Sequence, residues 1–153
     1  TFYVDNIVAY QPLPYVEKLC YLDLDLYHYF IGREGQSVNE SVMMKRIDQQ
    51  LKVTKIIMDC VDLSTVKSRK LERYLERFLS IMLAVSSIHL LMIGDSLAMK
   101  KRRAMWRYLE QKDPALYRRM RLSVGGFTYL PSKLGNRLSL AGYRLAKKVV
   151  KFQ

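Results

Sequence analysis

Cysteine and histidine are scarce: the 153 residues hold only Cys20, Cys60, His28 and His89 of these types. Two thiols forty residues apart exclude a disulfide framework and a cysteine-rich zinc site, and reduced cytosolic thiols are the expectation. Neither histidine falls in a zinc-ligand motif, and no Ser-His-Asp signature is present. Glycine and proline are also few, at seven and four. Neither a P-loop nor a GxGxxG phosphate cradle occurs, nor any repeat or low-complexity linker. A secretory signal pattern is missing, so the Asn39-Glu40-Ser41 sequon carries no glycosylation reading. The chain opens on Thr1 rather than Met, and the expectation is a piece of a longer protein.

Acid is nearly absent from the last third. Residues 100–153 carry 15 Lys+Arg against Glu110 and Asp113 alone. Residues 1–99 carry 11 Lys+Arg and 12 Asp+Glu. The net charge of +12 therefore resides in the final third, which is expected to be drawn to anions such as lipid head groups or phosphates. That segment has no recognisable nucleic-acid motif, and no nucleic acid is expected as a partner.

One long apolar run is present, Leu79–Ala98, about the length of a bilayer span. Ser80, Ser86, Ser87, His89, Gly94, Asp95 and Ser96 interrupt it, and such groups are costly in lipid. A central buried helix is the expectation.

What is there is mostly helical pattern. Ser37-Val-Asn-Glu40 has capping-box spacing. Apolar positions then recur at Met43, Ile47, Leu51, Thr54, Met58 and Val61, which predicts one helix to about Asp62. Ser64 or Ser68 is expected to cap the next helix, with Leu71, Tyr74, Leu75, Phe78, Leu79, Met82 and Leu83 as its buried stripe. Asp113-Pro114 marks another start, for a helix to about Arg121. Gly125-Gly126 is expected to break it, and Pro131 with Gly135 to keep a loop. Leu138 to Phe152 forms a final amphipathic segment, with Leu138, Leu145 and Val149 opposite Arg144, Lys147, Lys148 and Lys151.

The first 36 residues differ in character and hold six of the eleven tyrosines. Pro12 and Pro14 must end any helix begun near Asp5. Lys18 to Leu22 reads as a strand. Asp23-Leu24-Asp25 alternates, which puts both carboxylates on one strand face as a solvated polar edge rather than a metal site.

An ordered series runs through this region: Thr1-Phe-Tyr-Val-Asp-Asn6, Tyr15-Val-Glu-Lys-Leu-Cys-Tyr-Leu22, Leu26-Tyr-His-Tyr-Phe-Ile-Gly-Arg33 and Gln36-Ser-Val38. It resembles the end of the catalytic domain of bacterial family 2 glycosyltransferases. The resemblance covers residues 1–40; beyond them only helical character and basic charge match.

That resemblance implies a mainly α chain, with a short α/β remnant of a GT-A catalytic domain over residues 1–38. A helical C-terminal domain with a basic last third would fill residues 39–153. It implies that Asp5 is the catalytic base, although Val4 stands where the family usually has a second acid. It also implies that Arg33, Gln36 and Ser37 form a loop near the donor diphosphate. The family's Asp-x-Asp, which holds Mg²⁺ or Mn²⁺, would lie upstream of Thr1, so no metal ligand is assigned within this chain.

The implied function is the C-terminal part of an inverting nucleotide-sugar glycosyltransferase of cell-envelope or exopolysaccharide synthesis. Its partners would be a nucleotide sugar, a glycan or lipid-linked acceptor and an anionic membrane surface. The full protein would be cytoplasmic and peripheral on the inner face of the plasma membrane. The fragment alone is expected to be inactive. The rival expectations are a non-catalytic helical module that binds a membrane surface or a protein, and a nucleic-acid-binding helical domain.

Overall fold

A computed structural model describes residues 2–28, 30 and 39–149, the last by its backbone alone. The fold is mainly α, and no strand forms among the described residues. Among the described residues eight α-helices follow one another: α1 Asp5–Tyr10, α2 Glu40–Lys45, α3 Ile47–Cys60, α4 Arg69–Ile93, α5 Ser96–Lys112, α6 Pro114–Arg121, α7 Val124–Phe127 and α8 Ser132–Val149.

Short polar side chains set four of the helix starts. Asn39 accepts from the Ser41 amide at 3.0 Å and so starts α2. The same carboxamide oxygen accepts from the Ser41 hydroxyl. Asn39 thus takes the capping role expected of Ser37, which lies outside the described residues. Ser68 caps α4 through the Leu71 amide, Asp95 caps α5 through the Ala98 amide, and Asp113 caps α6 through the amides of Ala115 and Leu116. Each such cap satisfies amides that the first helical turn leaves without partners. The helix expected from Ser37 to Asp62 is two helices, because the chain leaves helical geometry at Arg46, with φ −106° and ψ 21°.

Helix α4 is the axis of the body. It packs against α2, α3, α5, α7 and α8. Its residues Leu75, Leu79, Met82 and Leu83 are buried, whereas Tyr74, expected in the same stripe, is half exposed. The helix is long and apolar enough to cross a membrane, but 61% of its most apolar window is buried against other helices. Gly94 ends it in the left-handed region at φ +75°, a conformation open to glycine at little cost.

The serines of α4 find partners inside. Ser86 Oγ lies 3.0 Å from Thr54 Oγ1, and Ser87 Oγ accepts from the Trp106 indole at 2.9 Å. Ser80 Oγ accepts from the Gly125 amide at 3.0 Å. Buried polar atoms with partners cost little, which is how this run tolerates its serines.

Residues expected to be strand are not paired among the described residues. Between Val16 and His28 the chain has no regular structure, and Leu22, Leu24 and Leu26 are exposed. Gly125 and Gly126 do not form a plain break. They sit within the short helix α7, and Gly135 lies inside α8 rather than in a loop.

Candidate functional site

Asp5 sits in the first turn of α1. Val4 is the N-cap residue and makes no side-chain cap bond, so Asp5 does not serve as the helix cap. Its carboxylate is on an exposed residue near the positive end of the helix. The turn that carries it is fixed from both sides. Upstream, the Phe2 amide donates to Gln49 Oε1 of α3 at 2.7 Å, and the Arg46 guanidinium lies 3.6 Å over the Phe2 ring. Tyr3 adopts φ +69°, and Asn6 Nδ2 donates back to the Tyr3 carbonyl at 3.1 Å. A tyrosine in the left-handed region holds local strain that neighbouring contacts must offset. Burial raises the Tyr3 pKa; Arg46 lowers it and Asp5 raises it to a lesser degree.

Downstream, Tyr10 is buried in the main core, its ring 5.3 Å from that of Phe78 on α4. Burial pushes the Tyr10 phenol well above its ordinary value. Helix α1 is therefore anchored at Tyr10 while Asp5 at its other end faces solvent. A carboxylate that must meet a hydroxyl brought in by a substrate has to be accessible and rigidly placed.

Arg33, Gln36 and Ser37 lie outside the described residues. Asp23 and Asp25 are both exposed, and the Tyr21 hydroxyl donates to Asp23 Oδ1 at 3.4 Å. Among the described residues, no three His, Cys, Asp or Glu side chains form a group able to hold a metal ion.

Two further constellations escaped sequence reasoning. In the first, Arg102 is buried, with no carboxylate paired to it among the described residues. It donates through one Nη to Asn136 Oδ1 at 3.0 Å and through the other to the Thr128 carbonyl, and it lies over the Tyr129 ring. Burial lowers its pKa to about 10. Arg121 donates to the Tyr129 carbonyl at 2.5 Å and faces the same ring. Carbonyl dipoles and aromatic faces thus hold two guanidinium groups where α5, α6 and the start of α8 meet.

The second constellation joins α2 to α8. Glu40 accepts from the Tyr143 hydroxyl and pairs with Lys147 at 2.9 Å. These partners span about a hundred residues, and no local spacing announces them.

No family model, curated protein or solved structure matches this chain.

Proposed function

We propose that this chain is the C-terminal part of an inverting nucleotide-sugar glycosyltransferase acting in cell-envelope or exopolysaccharide synthesis. The observation that carries the reading is Asp5: an exposed carboxylate at the first turn of a helix whose other end is locked in the core. It stands in the ordered series that resembles family 2 glycosyltransferases.

In the proposed reaction Asp5 accepts the proton of an acceptor hydroxyl. The oxygen of that hydroxyl forms the new bond to the anomeric carbon, on the face opposite the diphosphate. The bond from that carbon to the diphosphate oxygen breaks, its electron pair leaves with the nucleotide diphosphate, and the centre inverts. A well-placed base of this kind contributes about 10²–10⁴-fold in rate. Arg33, Gln36 and Ser37 would donate hydrogen bonds to diphosphate oxygens, a role that suits guanidinium and hydroxyl groups. Mg²⁺ or Mn²⁺, held by an upstream part of the enzyme, would neutralise the leaving diphosphate. The acceptor would be a glycan or a lipid-linked glycan, and the enzyme would be peripheral on the inner face of the plasma membrane.

The test is transfer by the protein that joins this chain to its upstream nucleotide-sugar domain, supplied with a donor panel and a divalent cation. The product's anomeric configuration, read by NMR, is expected to be opposite to the donor's. Retention would overturn the assignment of a single carboxylate base. The second reading is a non-catalytic helical module that binds a membrane surface. The exposed leucines of α8 favour it, and it predicts no transfer at all.

A further inference from the structure

Helix α8 turns three of its four leucines the wrong way for a core helix. Gly135 and Ser139 are buried on its inner side, where Ser139 Oγ donates to the Phe127 carbonyl at 2.9 Å. A Cβ on Gly135 would meet Leu130 at 2.6 Å, and one on Gly142 would meet the Phe127 ring at 2.8 Å. This small-residue face lets α8 lie close against α7. Leu134, Leu138 and Leu145, spaced by four and seven residues, form a row on the exposed flank beside that face. Leu134 is 67% exposed and Leu145 65%.

The apolar surface continues off the helix. Phe127, seated over Gly142, is half exposed, Val124 lies one turn before it, and Leu122 at the end of α6 is 92% exposed. Exposed apolar side chains gathered at one corner of the fold in this way suit a docking site.

Charge identifies the occupant. Lys133, Arg137, Arg144 and Lys148 are exposed and run along α8 beside the leucines, at steps of four, seven and four. No Asp or Glu occurs after Asp113. A leucine row flanked by a cation row is the pattern of a helix lying in a bilayer interface, its side chains in the acyl boundary and its cations among anionic head groups. Nucleic acid would use the cations and leave the leucines in water.

We propose that the outward face of α8, with Leu122, Val124 and Phe127, docks onto an anionic lipid bilayer. This deepens the peripheral-membrane part of the proposed function and rests on that part alone, not on the transfer chemistry.

The test is co-sedimentation of the whole chain with phosphatidylcholine vesicles, with and without phosphatidylglycerol. The probes are the wild type, a Leu138→Glu, Leu145→Glu variant and an Arg137→Glu, Arg144→Glu variant. All four side chains are exposed, so circular dichroism should show unchanged helix content. Expected are wild-type binding only to the anionic vesicles and a loss of at least about tenfold in each variant. Asp5→Asn should bind as the wild type does, so a failure of the transfer reading would not register here.

Four results would overturn the proposal: no wild-type binding; leucine-variant binding equal to the wild type; duplex DNA binding that the leucine variant retains while vesicles bind no better than DNA; or a wild-type dimer in sedimentation that the leucine variant abolishes, which would show a second copy covering the face.

Discussion

The indole of Trp106 lies flat against the phenol ring of Tyr129, with centroids 4.8 Å apart and planes 6° from parallel. Tyr117 meets the same indole edge-on at 6.1 Å, and Ser87 accepts its N–H. Helices α4, α5 and α6 and the segment before α8 are joined at this one side chain. Trp106 is fully buried and is the sole tryptophan. Trp106→Ala is expected to cost about 3–5 kcal/mol, as large truncations in packed cores do. Trp106→Phe keeps most of the stack but leaves Ser87 without its donor, and should cost about 1–3 kcal/mol. Urea unfolding followed by circular dichroism gives both values. A cost under about 1 kcal/mol for the alanine variant would show that the stack does not organise the core.

Gly126 has no room for a side chain. A Cβ there would lie 1.9 Å from the Arg121 carbonyl oxygen, where a neighbouring Gly125 Cβ would meet the Ser80 carbonyl oxygen at 3.1 Å. Gly126→Ala must move backbone at the α6–α7 corner and is expected to destabilise by about 1–3 kcal/mol. Gly125→Ala should cost less. Thermal melts of the two variants side by side check the order, and the reverse order would contradict the packing described for this corner.

Acid should loosen the junction of α2, α4 and α8. Burial lowers the pKa of His89, and the Glu40 charge only partly opposes it. The unfolded chain therefore binds a proton that folded His89 resists. Stability is full above the ordinary histidine value and falls as pH drops below it. Glu40 has a lowered pKa, chiefly through the Tyr143 hydrogen bond and then that of Lys147, so its contribution is lost further down, as pH falls below the ordinary carboxylate range. Desolvation of Tyr143, with its bond to Glu40, raises the phenol to about 12. Its contribution is present below pH 10 and is lost as pH rises from there to about 12. Urea midpoints across pH should show these slopes. His89→Gln should flatten the upper acid slope and Glu40→Gln the lower one. An unchanged profile in both variants would remove this junction from the acid response.

Much of the helical layout was legible from sequence, because caps and breakers act locally. Asp113 before Pro114 marks the start of α6, and the leucines of α4 keep a helical period. The interruption at Arg46 was not legible, since the apolar period runs straight through it. Gly125 and Gly126 read as a break, yet they sit in the helical turn of α7, where the Ser80 and Arg121 carbonyls leave little room for a side chain. The leucines of α8 read as one face of an amphipathic helix, and sequence could not say that this face points outward. Gly135, Ser139 and Gly142 decide that by packing, a matter of long-range fit. The site shows the same division. Asp5 is singled out by its setting in the ordered series, and the anchorage of its helix through Tyr10 and Phe2 came only from the fold.

The most direct measurement is turnover and donor binding, side by side, for Asp5→Asn in the proposed full-length glycosyltransferase. Expected is donor affinity within a few-fold of the wild type, with transfer slowed by about 10²–10⁴-fold. Wild-type turnover in the variant would contradict the assignment of Asp5 as the base.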